Sequence, residues 1–366
     1  MNSVMPVIHV SGTHRDVGLQ LGEACAEAVR SATAFDRGEV PRDGRTIAEQ
    51  LDLAAEYRRV TAGELPYLVD ELDAVAEAAD VDPLRVFAAS IEEIWTTSDE
   101  VTDSGTSRLG SDFGRCTDLV VGPPATAGDA VFVAHNNDLD ASVEARLTAV
   151  EWRVDGEPQM FTIGVGPWIS VGWNEAGLVL SGNELAPNDN RVGIPRLLLV
   201  REQLRHSTTS AAVDAALHPA RASAYNTIFA MPDGHVVNVE GSATDGVVTT
   251  VSDEGTLVHT NHYVCDAMLG YEDDPAYAKR SARRFRRGSE LLAEAARRRE
   301  PVTPGQLRLF LADHENAPDS ICRHPDAAKA RSPGTRPDGG PRPTSGLPCP
   351  RNPAGEAIFG KIGAAL

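Results

Sequence analysis

The sequence predicts a layered α+β protein, and three observations carry that expectation. In the first hundred residues apolar side chains recur every three or four positions, the period of helices with one buried face. From Cys116 onward short apolar runs separated by Gly, Asp and Pro turns take over, the texture of antiparallel strands. Helices then return before a second group of strands, so the outline is helices, many strands, helices, strands.

Taken in order, Thr13 with Asp16 three positions on makes a capping arrangement, and Val17, Leu21, Cys25 and Val29 follow at four-residue spacing. Leu65, Leu68, Val69, Leu72, Val75, Ala76 and Ala79 form a second stripe. Pro83 suits a first helical turn, and Leu84, Phe87, Ala88 and Ile91 form a third. No strand is expected among these helices, so the surface they cover is a sheet formed later in the chain. Residues 98–114 are rich in Ser, Thr, Gly and Asp and read as a polar connection. Strands are expected at Leu119–Val121, Ala130–Ala134, Leu147–Val154, Met160–Val165, Ile169–Trp173 and Gly177–Leu180. Pro195 opens a helix to Leu204, and Ala211–Leu217 makes another. Strands return at Tyr225–Ala230, His235–Glu240, Val247–Val251 and Leu257–Thr260, before a basic helix over Ala278–Arg299. Residues 325–353 hold 8 of the 24 prolines and read as a loop or disordered tail. The chain thus divides into a helical segment 1–115, a strand-rich segment 116–324 and a Pro/Gly-rich tail 325–366.

Composition limits the function. The 366 residues carry 53 acidic and 34 basic side chains, a formal charge of −19, which disfavours a phosphate backbone as partner. The excess is uneven: −12 over residues 1–115 and −7 over 116–366. No apolar stretch approaches the roughly 18 residues of a membrane span. Met1–Val10 has neither a basic nor an apolar leader region, and five scattered cysteines do not suggest a disulfide framework, so a cytoplasmic protein is expected.

Cys116 stands where the polar connection meets the first strand. It reads either as a small buried hydrophobe or as a nucleophile. A cut before it would place a thiol and an α-amine on one residue, and that amine, titrating near 7.7–8.0 when unperturbed, could serve as base for its own side chain. Such a site needs oxyanion donors and groups that orient the amine. Asn136-Asn137-Asp138 ends the next strand, His259-Thr260-Asn261-His262 ends a later one with an amide at Asn261, and Ser320-Ile321-Cys322-Arg323 offers a guanidinium.

These stretches resemble the acyl-coenzyme A:6-aminopenicillanate acyltransferase family, the C45 group of N-terminal-nucleophile hydrolases. The matches keep family order over roughly residues 10 to 324: Gly12-Thr13…Gly18…Gly22, Cys116-Thr117, Asn136…Asp138, Gly172-Trp-Asn-Glu-Ala-Gly-Leu178, Gly193-Ile-Pro195 with Arg201, Ala222-Ser-Ala224, Val239-Glu-Gly-Ser242, His259-Thr-Asn-His262 and Ser320-Ile-Cys-Arg323. The resemblance implies a four-layer αββα sandwich that matures by cutting itself before Cys116. It implies that Cys116 is the autoprocessing and acyl-accepting thiol, Asp138 positions the new amine, and Asn261 supplies the oxyanion-hole amide. Thr117, Ser242 and Arg323 are implied to support or line the site. It further implies no cofactor, a small acyl amide or thioester as substrate with acyl-coenzyme A among the candidates, and two cleavage fragments that stay associated. The chain departs from the family in carrying Arg115 rather than Gly before the cysteine, and in its Pro/Gly-rich close.

Four other readings compete. His259, His262 and Cys265, with Cys322 and His324 elsewhere, have spacings that could hold zinc. His135 or His259 could serve Cys116 as a papain-like base in an uncut chain. The basic helix, with Lys279, Arg280, Arg283, Arg284, Arg286 and Arg287, reads as a solvated face paired with the acidic N-terminal segment, or as a phosphate-binding surface. Finally, the fold could persist in a binding protein without activity. Trp168, Trp173 and Tyr225 read as core residues or as the lining of an acyl pocket.

Overall fold

The computed structural model describes residues 5, 7–35, 39–41, 44–97, 115–138, 146–323 and 356–359. They fold into four layers in the order α, β, β, α. The outer helical layer contains α1 (His14–Ala24), α2 (Ala26–Ala32), α3 (Ile47–Glu64), α4 (Pro66–Ala79), α5 (Pro83–Ala88), α6 (Arg196–Leu204) and α7 (Thr209–Ala216). Thr13 caps α1 in a capping box with Asp16, as the sequence predicts. Helix α1 lies close against α4 because Gly18 and Gly22 remove the side chains that would intervene. A Cβ at Gly18 would sit 2.4 Å from the Glu71 carbonyl oxygen, and one at Gly22 2.4 Å from that of Val75.

These helices cover an eight-stranded sheet, which does form later in the chain. In spatial order it contains β1 (Val7–Gly12), β6 (Leu147–Val154), β7 (Met160–Val165), β8 (Trp168–Asn174), β9 (Val179–Asn183), β10 (Asn226–Ala230), β11 (Val236–Gly241) and β12 (Gly246–Thr250). Strand β1 corrects the expectation that the N-terminal helices have no strand among them. It joins the sheet edge parallel to β6, and of its residues only Val10 is fully buried, so it lacks the apolar alternation by which strands are recognised. Helix α3 also escapes an apolar count, because its buried stripe is Gln50, Ala54, Tyr57 and Thr61.

The second sheet has the order β13 (Thr256–His259), β4 (Arg115–Val121), β5 (Phe132–Asp138), β14 (Glu356–Phe359). Strand β14 places an edge strand within the segment read as a tail, and residues 325–355 lie outside the described residues. Valines 120, 131, 133, 171, 179 and 236 fill the space between the sheets. The last layer, α8 (Pro275–Arg298) and α9 (Pro304–Leu311), buries Leu292, Leu307 and Leu311 against Leu119, Val121, Phe132 and Ala134 of the small sheet. A short ladder pairs β2 (Glu39–Pro41) with β3 (Trp95–Thr97), and the polar connection 98–114 lies outside the described residues. Among the described residues no helix is long and apolar enough to cross a membrane.

Candidate active site

Strand alternation sorts the residues around Cys116 onto two faces. Thr117, Leu119 and Val121 face α8 and α9, whereas Cys116, Asp118 and Val120 face the large sheet. Strand β5 runs antiparallel beside them, with Arg115 opposite Asp138, Cys116 opposite Asn137 and Asp118 opposite His135. The space between the sheets is therefore apolar along its valines and polar around Cys116. Cys116 is 8% exposed, and its sulphur lies 3.5 Å from Asn137 Oδ1.

On its other side β4 pairs with β13 only as far as Asp118 opposite His259. The main chain of Cys116 extends past that ladder, and side chains take over its hydrogen bonds. Its N–H donates to Asn261 Oδ1 at 2.7 Å, and its carbonyl oxygen accepts a short bond from Arg284 Nη1. The same guanidinium donates to Thr117 Oγ1 at 2.9 Å and to Asn261 Oδ1 at 2.8 Å. Arg284 is wholly buried. Asn261 Nδ2 donates one proton to the Glu184 carbonyl at 3.1 Å, which leaves its second amide proton for another acceptor.

The turn that carries Asn261 is anchored at its start. His259 Nε2 lies 2.9 Å from Glu240 Oε1, and its Nδ1 lies 3.1 Å from Asn183 Oδ1. Burial pushes the Glu240 carboxyl up, but His259 and the N–H groups of Cys265 and Val264 outweigh that and hold it below the usual carboxylate range. At His262 burial acts first, joined by the charges of His259 and Arg284, and pulls the ring down to about 4. His262 is therefore neutral at pH 7, with Nδ1 3.0 Å from Ser281 Oγ. His259 and His262 are thus engaged with protein groups, and His324 of the zinc reading lies outside the described residues. Among the described residues no group of three or more His, Cys, Asp or Glu could hold a metal ion.

Beside the sulphur lies a second buried cluster. His135 Nδ1 is 3.1 Å from Asp118 Oδ1 and 3.3 Å from Ser181 Oγ, and Ser181 Oγ donates to the same carboxylate oxygen. Burial pulls His135 down, but the Asp118 carboxylate and the neighbouring Cys116 sulphur more than reverse this and raise it to about 10.

The structure thus brings Cys116, Thr117 and Asn261 together and adds Arg284. Asp138 is buried opposite Arg115, one register position from the cysteine. Ser242 is elsewhere engaged: its hydroxyl donates to Asp189 Oδ2 at 2.9 Å and its carbonyl accepts from Arg221. Arg323 donates from Nε to the Pro318 carbonyl at 3.0 Å. Trp173 stacks on Phe161, Trp168 donates to Ser90, and Tyr225 donates to Glu92. Among the described residues the basic helix pairs with acids of its own segment. Arg283 pairs with Asp319 at 2.8 Å, Arg287 pairs with Asp313 and Glu315, and Arg284 points inward to the cysteine. Sequence reasoning placed Arg284 on a solvated face; the i, i+4 pair Arg284–Gly288, with Gly288 against Leu119 and Val258, marks the side that packs.

The fold and site define an αββα protein with a buried cysteine at the head of an inner strand, its N–H and C=O both held by side chains. A sequence model of the acyl-coenzyme A:6-aminopenicillanic acid acyl-transferase family matches residues 125–333, more than half of the chain, and the chain belongs to that family. Cys116 lies just before the matched stretch. No curated protein matches the sequence. Among solved structures, the chain is similar to a Caenorhabditis elegans N-acylethanolamine-hydrolyzing acid amidase ortholog, with 15% identity over 56% of this chain and 88% of that one and a TM-score of 0.38. A mutant conjugated bile acid hydrolase from Clostridium perfringens shares 13% identity over 42% of this chain and 54% of its own, with a TM-score of 0.30.

Proposed function

We propose that the protein is a self-cleaving cysteine enzyme that hydrolyses or transfers the acyl group of a small-molecule amide or thioester. The observation that carries this reading is the treatment of the Cys116 main chain. Any buried main-chain group beyond a ladder needs a partner, but here a buried Asn and a buried Arg converge on the one residue that also carries a thiol. That arrangement suits a residue whose nitrogen is to become a catalytic amine.

In the mature form Asn261 Oδ1 accepts from the Cys116 α-amine and turns its lone pair toward the sulphur. The amine takes the thiol proton, and the thiolate attacks the acyl carbonyl carbon to form a C–S bond. The second Asn261 amide proton stabilises the oxyanion as it develops. The α-ammonium then returns its proton to the departing amine or thiol. Water or an acceptor amine releases the acyl group from Cys116. Arg284 is a positioning residue that fixes Cys116, Thr117 and Asn261 relative to one another. Asp138, opposite Arg115, orients the new amine.

Cleavage before Cys116 divides the chain into fragments 1–115 and 116–366, which stay together. Strand β1 from the first lies in the sheet of the second, and Glu71 meets Arg201 across the same seam at 2.8 Å. No cofactor takes part in this chemistry, and the reaction is assigned to the cytoplasm.

Intact-mass analysis tests the reading. Two fragments with a new N-terminal Cys116 are expected from wild type, and an uncut, inactive chain from Cys116→Ala, assayed on N-acyl amines and acyl-coenzyme A thioesters. Full activity in an intact wild-type chain, or activity that survives Cys116→Ala, overturns it.

A further inference from the structure

The mechanism above has a gap before maturation. In the uncut chain the Cys116 nitrogen is an amide, its lone pair is delocalised, and its N–H already donates to Asn261. It cannot act as a base for the event that would set it free. The nucleophilic form of cysteine is the thiolate, so another group must take the proton.

We propose that His135, held by Asp118, is the base that ionises Cys116 for self-cleavage; this rests on the reading that the chain cuts itself before Cys116. Three observations support it. His135, Asp118 and Cys116 share the face of the small sheet that looks into the inter-sheet space, with His135 directly across from Asp118. The ring is buried, its Nδ1 is committed to Asp118 and Ser181, and its Nε2 has no hydrogen-bond partner among the described residues. Cys116 is close enough on that face for its charge to act on the ring. A buried ring nitrogen left unused beside a nucleophile is costly unless it serves that nucleophile.

The other histidines near Cys116 are less suited. His259 is occupied by Glu240 and Asn183, and His262 is a weak base tied to Ser281. The titratable groups that act on His135 are Asp118 and Cys116, both on β4, and from the facing β9 it meets the uncharged Ser181. With its conjugate acid raised to about 10, the imidazole is a stronger base than an ordinary thiolate, whose thiol titrates near about 8.5.

The step balances without a co-reactant other than water. In the reactive form Sγ and Nε2 hold one proton between them, and it rests on the ring, leaving a thiolate beside an imidazolium paired with Asp118. The thiolate attacks the Arg115 carbonyl carbon, forming the C–S bond, and the oxyanion is held as in later turnovers. Collapse breaks the Arg115–Cys116 C–N bond, and the departing nitrogen takes the proton from the imidazolium. Water then hydrolyses the Arg115 thioester to a carboxylate and the free thiol.

The test is a time course of self-cleavage on full-length chains, followed by intact mass at pH 6 to 9. Wild type is expected to gain rate as the thiol ionises and to level off below the ordinary thiol range, because the imidazolium beside it favours the thiolate. His135→Gln should cleave about 10²- to 10⁴-fold more slowly at pH 7. Its rate should climb about tenfold per unit toward the ordinary thiol range, since hydroxide must now do the ionising. Asp118→Asn, which removes the carboxylate and leaves burial to dominate the ring, should acquire a similar slope; it serves as the second test where His135→Gln does not fold. A purely structural role would slow cleavage without changing its pH profile. A wild-type rate and pH profile in His135→Gln, or in Asp118→Asn where the first variant does not fold, overturns the assignment while self-cleavage stands. A wild-type chain that stays intact overturns self-cleavage, and the assignment with it.

Discussion

Asn261 is assigned two tasks by its two ends, and substitution can separate them. Its Oδ1 accepts from Cys116 N–H at 2.7 Å and from Arg284 at 2.8 Å; its Nδ2 donates to the Glu184 carbonyl and has a second proton for an oxyanion. Asn261→Ala removes everything and leaves two buried donors without an acceptor, at about 1–3 kcal/mol each, so a loss of roughly 2–6 kcal/mol in denaturant unfolding is expected. Asn261→Asp retains an acceptor for Cys116 N–H and gives Arg284 a full carboxylate, so the amine-orienting contact survives. It offers no donor, and its oxygen faces the Glu184 carbonyl. Losing one oxyanion donor costs about 10²- to 10³-fold in rate. Asn261→Asp should therefore unfold at a denaturant concentration nearer wild type than Asn261→Ala does, yet lose that factor in self-cleavage and in turnover. Both are read from one set of samples, by urea titration and by fragment appearance on intact mass. If Asn261→Asp cleaves and turns over at the wild-type rate, the donor assignment is wrong, whatever its stability.

Further consequences follow from the packing and charges. Gly18→Ala places a methyl group 2.4 Å from the Glu71 carbonyl and should destabilise the α1–α4 contact by about 1–3 kcal/mol in urea unfolding; an unchanged midpoint would mean the helices part easily. Arg201→Met leaves Glu71 and Glu157 without their shared guanidinium, and about 3–5 kcal/mol should be lost in the same assay. His262 titrates near 4 when folded and near 6.5 when unfolded, so the unfolded chain binds more protons between those values. Stability should fall as pH drops from about 6.5 to 4, by at most roughly 3 kcal/mol. His262→Gln should flatten that slope in pH-dependent melts, and an unaltered slope would contradict a neutral buried ring. If the fragments are held by packing and buried pairs, they should co-elute in about 1 M salt, where exposed pairs are screened out; separation would argue for surface charge as the link.

Elements with a two- or four-residue apolar repeat were legible in the sequence, and those without one were not. Strands β6 and β7 occupy the residues their repeat indicates, 147–154 and 160–165. Strand β1 was not legible because its pairing with β6 spans more than a hundred residues and buries one of six side chains fully. Helix α3 hides a polar stripe, although Thr46 with Glu49 forms a capping box that a search for T-x-x-E would find. Helix α9 is similar: eight residues, opened by Thr303 with Gln306. At the site, Cys116, Thr117 and Asn261 were legible because each sits at a strand end in a distinctive run. Arg284 was not, since a guanidinium on a helix with seven other basic residues looks like surface until packing shows which side turns inward. The pairing of His135 with Asp118 follows from register, which the intervening loop length does not reveal.

The uneven charge of the chain takes on a different meaning at the seam between its two segments. Read by itself, the −12 of residues 1–115 suggests only which polyanions the protein avoids. In the structure part of that excess is internal. Glu71 meets Arg201, Glu92 meets Arg196 at 3.2 Å, and Glu93 accepts the Arg196 N–H at 3.0 Å, with both arginine side chains 5% exposed. The arginines belong to the strand-rich segment and the carboxylates to the helical one. Burial pushes Glu93 up, and Arg196 and its N–H work against that shift, so the acid is held by the segment opposite. A buried carboxylate without its partner is costly in either segment alone. The two segments are thus each incomplete, and a cut before Cys116 severs one peptide bond without removing the reason for them to remain one molecule.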